Sequence, residues 1–164
     1  MVVTLGSVLR ILPRHRDEML AHAIVGFPLE ACGLLTGDPD GTMRRFHPCE
    51  NAAASAKLYT VAPRDMLAVD REAEVAGWQV IGVMHSHTHT DPYPSPTDVE
   101  QAPDPDWHYV IVSLRDDVPM LRSFRLRDGR IDEEPVVVGR SSGSIERDGS
   151  IGGRVVPPGG ESLP

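Results

Sequence analysis

His85, His87, Ser95 and Asp98 share fourteen positions in the run His85-Ser86-His87-Thr88-His89-Thr90-Asp91-Pro92-Tyr93-Pro94-Ser95-Pro96-Thr97-Asp98. The run directly follows an apolar stretch, Val80-Ile81-Gly82-Val83-Met84. Polar groups at the mouth of a buried strand are costly to desolvate unless they bind something, and a metal ion is the natural candidate. Side chains alternate faces along a strand, so His85 and His87 project the same way, one pleat apart, and can share one ion. Zinc accepts imidazole nitrogen and carboxylate oxygen, usually in a tetrahedron. Asp98 can supply the carboxylate once the residues between fold back as a loop. His89 shares the histidine face only if the strand continues. Asp91-Pro92 marks a turn, so His89 reads as a rim residue or a substrate contact rather than a ligand.

Ser95-Pro96-Thr97-Asp98 is also a helix start, with Ser95 at the N-cap, Pro96 at N1 and Asp98 at N3, as in a capping box. Alone, that string reads as a cap and nothing more; with the histidine pair upstream, the cap would also fix Ser95 and Asp98 beside a metal. A hydrolytic zinc site keeps one position for water and needs a base to deprotonate it. Glu30 is the best candidate, at the entrance to the apolar strand of Phe27-Pro28-Leu29-Glu30-Ala31-Cys32-Gly33-Leu34-Leu35-Thr36-Gly37. In isolation, a carboxylate so placed reads rather as an ordinary surface residue.

Taken together, Pro28-Leu29-Glu30-Ala31-Cys32-Gly33-Leu34-Leu35, His85-Ser86-His87 and Ser95-x-x-Asp98 resemble the signature of the JAMM (MPN-plus) metalloproteases. The spacing matches in full: His-x-His, seven residues, Ser, two residues, Asp. The resemblance spans roughly 3–138. Thr88, where many members carry Pro, and Tyr93-Pro94-Ser95-x-Thr97-Asp98-Val99 look most like the actinobacterial Mec-type branch, sulfur-carrier-protein cysteine peptidases of cysteine biosynthesis. The resemblance implies one Zn2+ per chain on His85, His87 and Asp98. It implies that Glu30 activates the attacking water and passes the proton to the leaving amine, and that Ser95 hydrogen-bonds the oxyanion. Ser86 is read as structural, between the two ligands. The implied reaction is hydrolysis of the amide bond after the C-terminal Gly-Gly of a small β-grasp, ubiquitin-like sulfur carrier. The alternatives are an isopeptidase on another ubiquitin-like modifier and a non-catalytic MPN scaffold. An unrelated oxygenase built on His-x-His would not need Ser95.

Composition agrees. A chain of 164 residues with 40% apolar and 24% charged residues favours one domain with a real core. The net charge of −8 and the lack of a basic cluster longer than Arg44-Arg45 argue against a nucleic-acid partner. No apolar run approaches a membrane span. The first residues lack a basic and apolar leader pattern, so no signal peptide and a cytoplasmic address are expected. Two cysteines make no disulfide framework; Cys32 is expected as a reduced core residue and Cys49 as a loop residue.

The elements that must position these residues alternate along the chain. Strands are expected at 8–12, 31–36, 42–47, 79–85, 107–114, 120–126 and 130–138, the last two joined by a turn at Asp128-Gly129. Helices are expected at 13–25 and 63–76, with a short one from Pro96. The segment 51–59 reads as a loop that helps form a groove, in which an extended substrate tail would add as a strand beside the metal. The expected fold is a single-domain α/β protein, a mixed and largely antiparallel sheet flanked by helices, over 1–139. The Ser-, Gly- and Pro-rich 140–164 is expected as a disordered tail, its Gly159-Gly160 a matter of composition.

Overall fold

The structure is a computed structural model and describes residues 6–140. The expected tail therefore lies outside the described residues, apart from Arg140. Local signals set the helices. In α2 (Pro63–Ala76), Pro63 opens the first turn, Asp65 complements the helix N-terminus, and Gly77 ends the helix at a φ of 74°. That left-handed conformation favours glycine. In α1 (Pro13–Gly26), Pro13 again stands at the first turn, and His15 Nδ1 accepts the Leu12 amide in place of a hydroxyl cap.

The strands are β1 (Leu9–Ile11), β2 (Cys32–Gly37), β3 (Met43–Cys49), β4 (Gln79–His87), β5 (His108–Ser113), β6 (Met120–Arg127), β7 (Arg130–Glu134) and β8 (Val136–Val138). Between β4 and β5 lies the short helix α3 (Pro96–Glu100). Six strands form one sheet in the order β3-β2-β4-β5-β6-β7. Only β4 and β5 run parallel; the other neighbours are antiparallel. This is the mixed, mostly antiparallel α/β domain expected.

The sheet is covered on both faces. Met19 and Ala23 of α1 pack with Leu35, Phe46, Met84 and Val110 on one side. Val69 of α2 packs with Cys32, Leu34, Val83, Tyr109 and Ile111 on the other. β4 is consequently buried without a break from Ile81 to His87. Burying seven successive residues of a strand requires helices on both faces, and that burial puts the two histidines at the end of a rigid element.

The structure corrects two expectations. The single strand at 130–138 is two. Pro135 has no amide to offer the ladder, and the chain leaves the large sheet there, so that β8 pairs in parallel with β1 in a separate two-stranded sheet. Cys49 is not a loop residue. It ends β3 as a buried core residue directly opposite Cys32. Pro48 is tolerated because β3 is an edge strand with no further neighbour to receive its amide. With β2 and β5 on its two sides, β4 itself has no free edge. Cys32 is, as expected, a free thiol in the core.

Candidate metal centre

His85 and His87 leave the end of β4 on the face that Val83 shares, which is the α2 side of the sheet. Ser95 caps α3 as the sequence predicts. Its Oγ accepts the Asp98 amide at 3.1 Å, and the Ser95 amide donates to Asp98 Oδ2 at 2.7 Å. That reciprocal pair fixes the Asp98 carboxylate against the histidines. Asp98 Oδ2 lies 3.3 Å from His85 Nε2 and 3.2 Å from His87 Nε2, and the two Nε2 atoms are 3.1 Å apart. Three ligands of a tetrahedral ion at its usual zinc distances stand about 3.3 Å from one another, so the triangle has the right size.

The protonation chemistry points the same way. His87 Nδ1 donates to the Asp91 carbonyl at 2.8 Å, so Nε2 is the nitrogen turned toward His85 and Asp98. Fixing one imidazole nitrogen by a carbonyl is how proteins set the ligating tautomer. Burial pushes the His85 imidazole below its usual range. Burial also disfavours charge on His87 and Asp98. There it is outweighed, on His87 by the Asp98 hydrogen bond and the Asp91 carbonyl, and on Asp98 by the bonds from both histidines. The result is an anionic Asp98, well below the usual carboxylate range, facing two buried imidazoles that are 1% and 4% exposed. Asp98 favours the protonated form of His87 here, and ligation by a metal ion would displace that proton; two imidazole nitrogens and a carboxylate oxygen converging in a buried place are a donor set for a cation.

Glu30 reaches this triangle through the register of the sheet. Cys32 stands opposite His85 in the antiparallel β2–β4 ladder, so the residues just before Cys32 lie beside the end of β4. The Glu30 amide donates to the Ser55 carbonyl at 2.9 Å, and its carbonyl accepts from Asn51 Nδ2 at 3.0 Å. The side chain is 5% exposed, and its Oε2 has no hydrogen-bond partner among the described residues. Burial raises this carboxyl to about 7, against the pull of His87 and with a further push from Asp98. A buried, unpartnered carboxylate oxygen has to be satisfied by something absent from the polypeptide. Glu30, His87 and Ser95 line one cleft of about 510 Å³, together with Ala56, Lys57, Thr88, His89 and Thr90.

All five residues singled out from the sequence are therefore brought together, and His89 sits on the rim of the same cleft, as expected. Two residues were not singled out. Tyr59 stacks on His85, with ring centroids 4.3 Å apart and planes at 18°. It also lines a second cleft of about 210 Å³ that reaches Asp98 from the other side, with Leu58, Met66 and Trp107. Lys57 lies beside Tyr59 on the same loop and faces the first cleft. Both stand out in the sequence as the one aromatic and the one lysine of a small, polar segment, Asn51-Ala52-Ala53-Ala54-Ser55-Ala56-Lys57-Leu58-Tyr59. Among the described residues, no helix is long and apolar enough to cross a membrane.

Comparison with known proteins agrees with this geometry. The family model described as prokaryotic homologs of the JAB domain matches residues 12–127. The CysO-cysteine peptidase of Mycobacterium tuberculosis is 46% identical over 125 residues, covering 74% of this chain and 85% of that protein. The desampylase of Haloferax volcanii is 39% identical over 114 residues, covering 66% and 82%. A protein from Desulfitobacterium hafniense, solved in solution, superposes with a TM-score of 0.73 at 33% identity, over 80% of this chain and 93% of that one. A JAB1/MPN domain protein from Archaeoglobus fulgidus shares the fold, with a TM-score of 0.53 at 22% identity over 80% of this chain and 100% of that one. The chain belongs to the prokaryotic JAB-domain family and is a peptidase of that family.

Proposed function

We propose that this protein is a zinc-dependent peptidase. It would hydrolyse the amide bond that follows the C-terminal Gly-Gly of a small β-grasp carrier, releasing cysteine from a carrier adduct in cysteine biosynthesis. The observation that carries the reading is the buried, unpartnered Oε2 of Glu30 in one cleft with His87 and Ser95. The 46% identity to a protein named as a CysO-cysteine peptidase supports the substrate class.

Zinc on His85, His87 and Asp98 would supply a Lewis acid able to bring the pKa of water to about 7. The chain's own residues do the rest. Glu30, buried in the cleft with an unpartnered oxygen, is placed both to take the proton of the attacking water and to give it to the leaving amine. The Ser95 oxygen is already held by the Asp98 amide, which leaves its hydroxyl proton free to donate to the developing oxyanion. One such donor is typically worth about 3–4 kcal/mol of barrier. Asp91 and the α3 cap orient the ligands. The loop over 51–59 closes the site: Thr88 Oγ1 donates to the Ala56 carbonyl at 3.2 Å and so ties this loop to the end of the metal strand. With both sides of β4 taken, the extended tail would run between this loop and the segment after His87.

A second reading has one observation in its favour, the 39% identity to a desampylase. It keeps the same chemistry on an isopeptide between a ubiquitin-like modifier and a lysine. The test is mass spectrometry of a β-grasp carrier ending Gly-Gly-Cys, incubated with the zinc-loaded protein with and without chelator. Chelator-sensitive loss of one cysteine is expected. An intact carrier in the presence of fully zinc-loaded protein would overturn the carrier-peptidase reading.

A further inference from the structure

Lys57 is the only lysine in the chain, and it lines the catalytic cleft beside Thr88, His89 and Thr90. Most arginines of the structure are paired with carboxylates, as in Arg44–Asp38, Arg64–Glu50 and Arg122–Glu133. Lys57 enters no ion pair among the described residues. Its place is nevertheless built. Its amide donates to Ser55 Oγ at 3.1 Å, and the neighbouring Ala56 carbonyl is held by Thr88. Because that carbonyl can only accept, Thr88 spends its proton there, and His89 Nδ1 donates to Thr88 Oγ1 at 2.9 Å. One network thus positions both Lys57 and the imidazole next to it.

Lys57 is exposed at the cleft surface, so its charge is available to a ligand. The protein carries a net charge of −8, and the inner end of the cleft presents Glu30, with Asp98 just beyond it. Zinc on His85, His87 and Asp98 would offset Asp98 and Glu30, and a carboxylate lying further out in the cleft then meets Lys57, the one lysine or arginine among the lining residues. The leaving group decides whether such a carboxylate exists. An amino acid released from a carrier's C-terminus has its own carboxylate one carbon from the scissile nitrogen. A lysine released from an isopeptide presents an uncharged methylene chain there, its carboxylate being locked in a backbone amide far from the cut.

We infer that Lys57 binds the free α-carboxylate of the leaving residue and makes this site selective for removing a single C-terminal amino acid. The inference rests on the peptidase reading above and names its leaving group. A carboxylate seated against Lys57 fixes the scissile amide by its far end, and Thr90 offers a hydroxyl in the same cleft.

The experiment compares two carriers, one ending Gly-Gly-Cys with a free carboxylate and one ending in the cysteine amide, on the zinc-loaded full-length protein. The wild type is expected to favour the acid by about tenfold or more in kcat/KM, as a partly desolvated charge pair would give. In Lys57→Met the ratio falls to near one; in Lys57→Arg most of it remains. Zinc content and circular dichroism of each variant exclude a folding defect. Equal cleavage of acid and amide by the wild type would overturn the inference. So would a Lys57→Met loss of the same size on both substrates, which would place Lys57 against the body of the carrier. Cleavage of neither carrier by the wild type would instead strike the peptidase reading itself, and the inference with it.

Discussion

Ser86 and Ala31 are joined twice: the Ser86 amide donates to the Ala31 carbonyl at 2.9 Å, and the Ala31 amide donates to Ser86 Oγ at 2.8 Å. The residue between the two candidate ligands is thereby stitched to the residue after the candidate base. The position of Glu30 relative to His85 and His87 depends on this clamp. Ser86→Ala would leave a buried amide without an acceptor, which costs about 1–3 kcal/mol. A Tm lowered by several degrees is expected, with zinc stoichiometry kept and turnover reduced. An unchanged Tm would show that water replaces the hydroxyl.

Tyr59 lies flat on His85 and holds its ring in place where no hydrogen bond does, since His85 Nδ1 has no partner among the described residues. Outer groups that orient a ligand typically govern about 10–100-fold in metal affinity. Tyr59→Ala is expected to weaken zinc binding by about tenfold, and Tyr59→Phe to retain it. Competition titration with a chromophoric chelator measures both; equal affinity for all three proteins would remove Tyr59 from the site.

Asp98 meets His87 and caps the helix with the same oxygen, Oδ2. Asp98→Asn keeps an acceptor for the Ser95 amide and loses the anion. The expected protein folds with a normal circular dichroism spectrum and binds zinc at well below one equivalent by elemental analysis. Full zinc occupancy in this variant would mean that the third ligand is another group.

Much of this was legible in the sequence because the signals are local. Proline at the start and glycine at the end bounded α2. The Ser95 cap and the period-two placement of His85 and His87 each follow from a few adjacent residues. The approach of Glu30 is different: it depends on the β2–β4 register, which sets Cys32 opposite His85 across a long stretch of chain. Its place at a strand entrance made Glu30 a candidate base, and the family resemblance gave it that role. Tyr59 and Lys57 lie on a loop whose path is set by contacts at Asn51, Ser55 and Thr88, so periodicity had nothing to report there. Pro135 and Pro48 show the converse. The same residue type marked a real break near β8 and a false one at Cys49, because only sheet position decides whether a missing amide matters.

The raised carboxyl of Glu30 has a consequence for the metal-free protein. Its folded value is about 7 against 4.5 when solvated, so between those values the native state holds a proton that the unfolded state has released. Stability from this group is therefore full below about pH 4.5, falls as pH rises toward 7, and stays low above it, a change on the order of 3 kcal/mol. Glu30→Gln removes this dependence. The difference between the wild-type and Glu30→Gln unfolding curves, measured without metal from pH 4 to 8, should grow across that window in favour of the variant. A difference that is constant with pH would mean that Glu30 is solvated in solution.

The central claim is that Glu30 acts as the base of a metal site made by His85, His87 and Asp98. The most direct test is a mass-spectrometric time course on a carrier ending Gly-Gly-Cys, with wild type and Glu30→Gln each loaded with zinc and assayed for metal content. The account predicts equal zinc in both proteins, removal of one cysteine by the wild type, and turnover reduced by several orders of magnitude in Glu30→Gln. Comparable turnover by the variant, or loss of zinc along with activity, would contradict it.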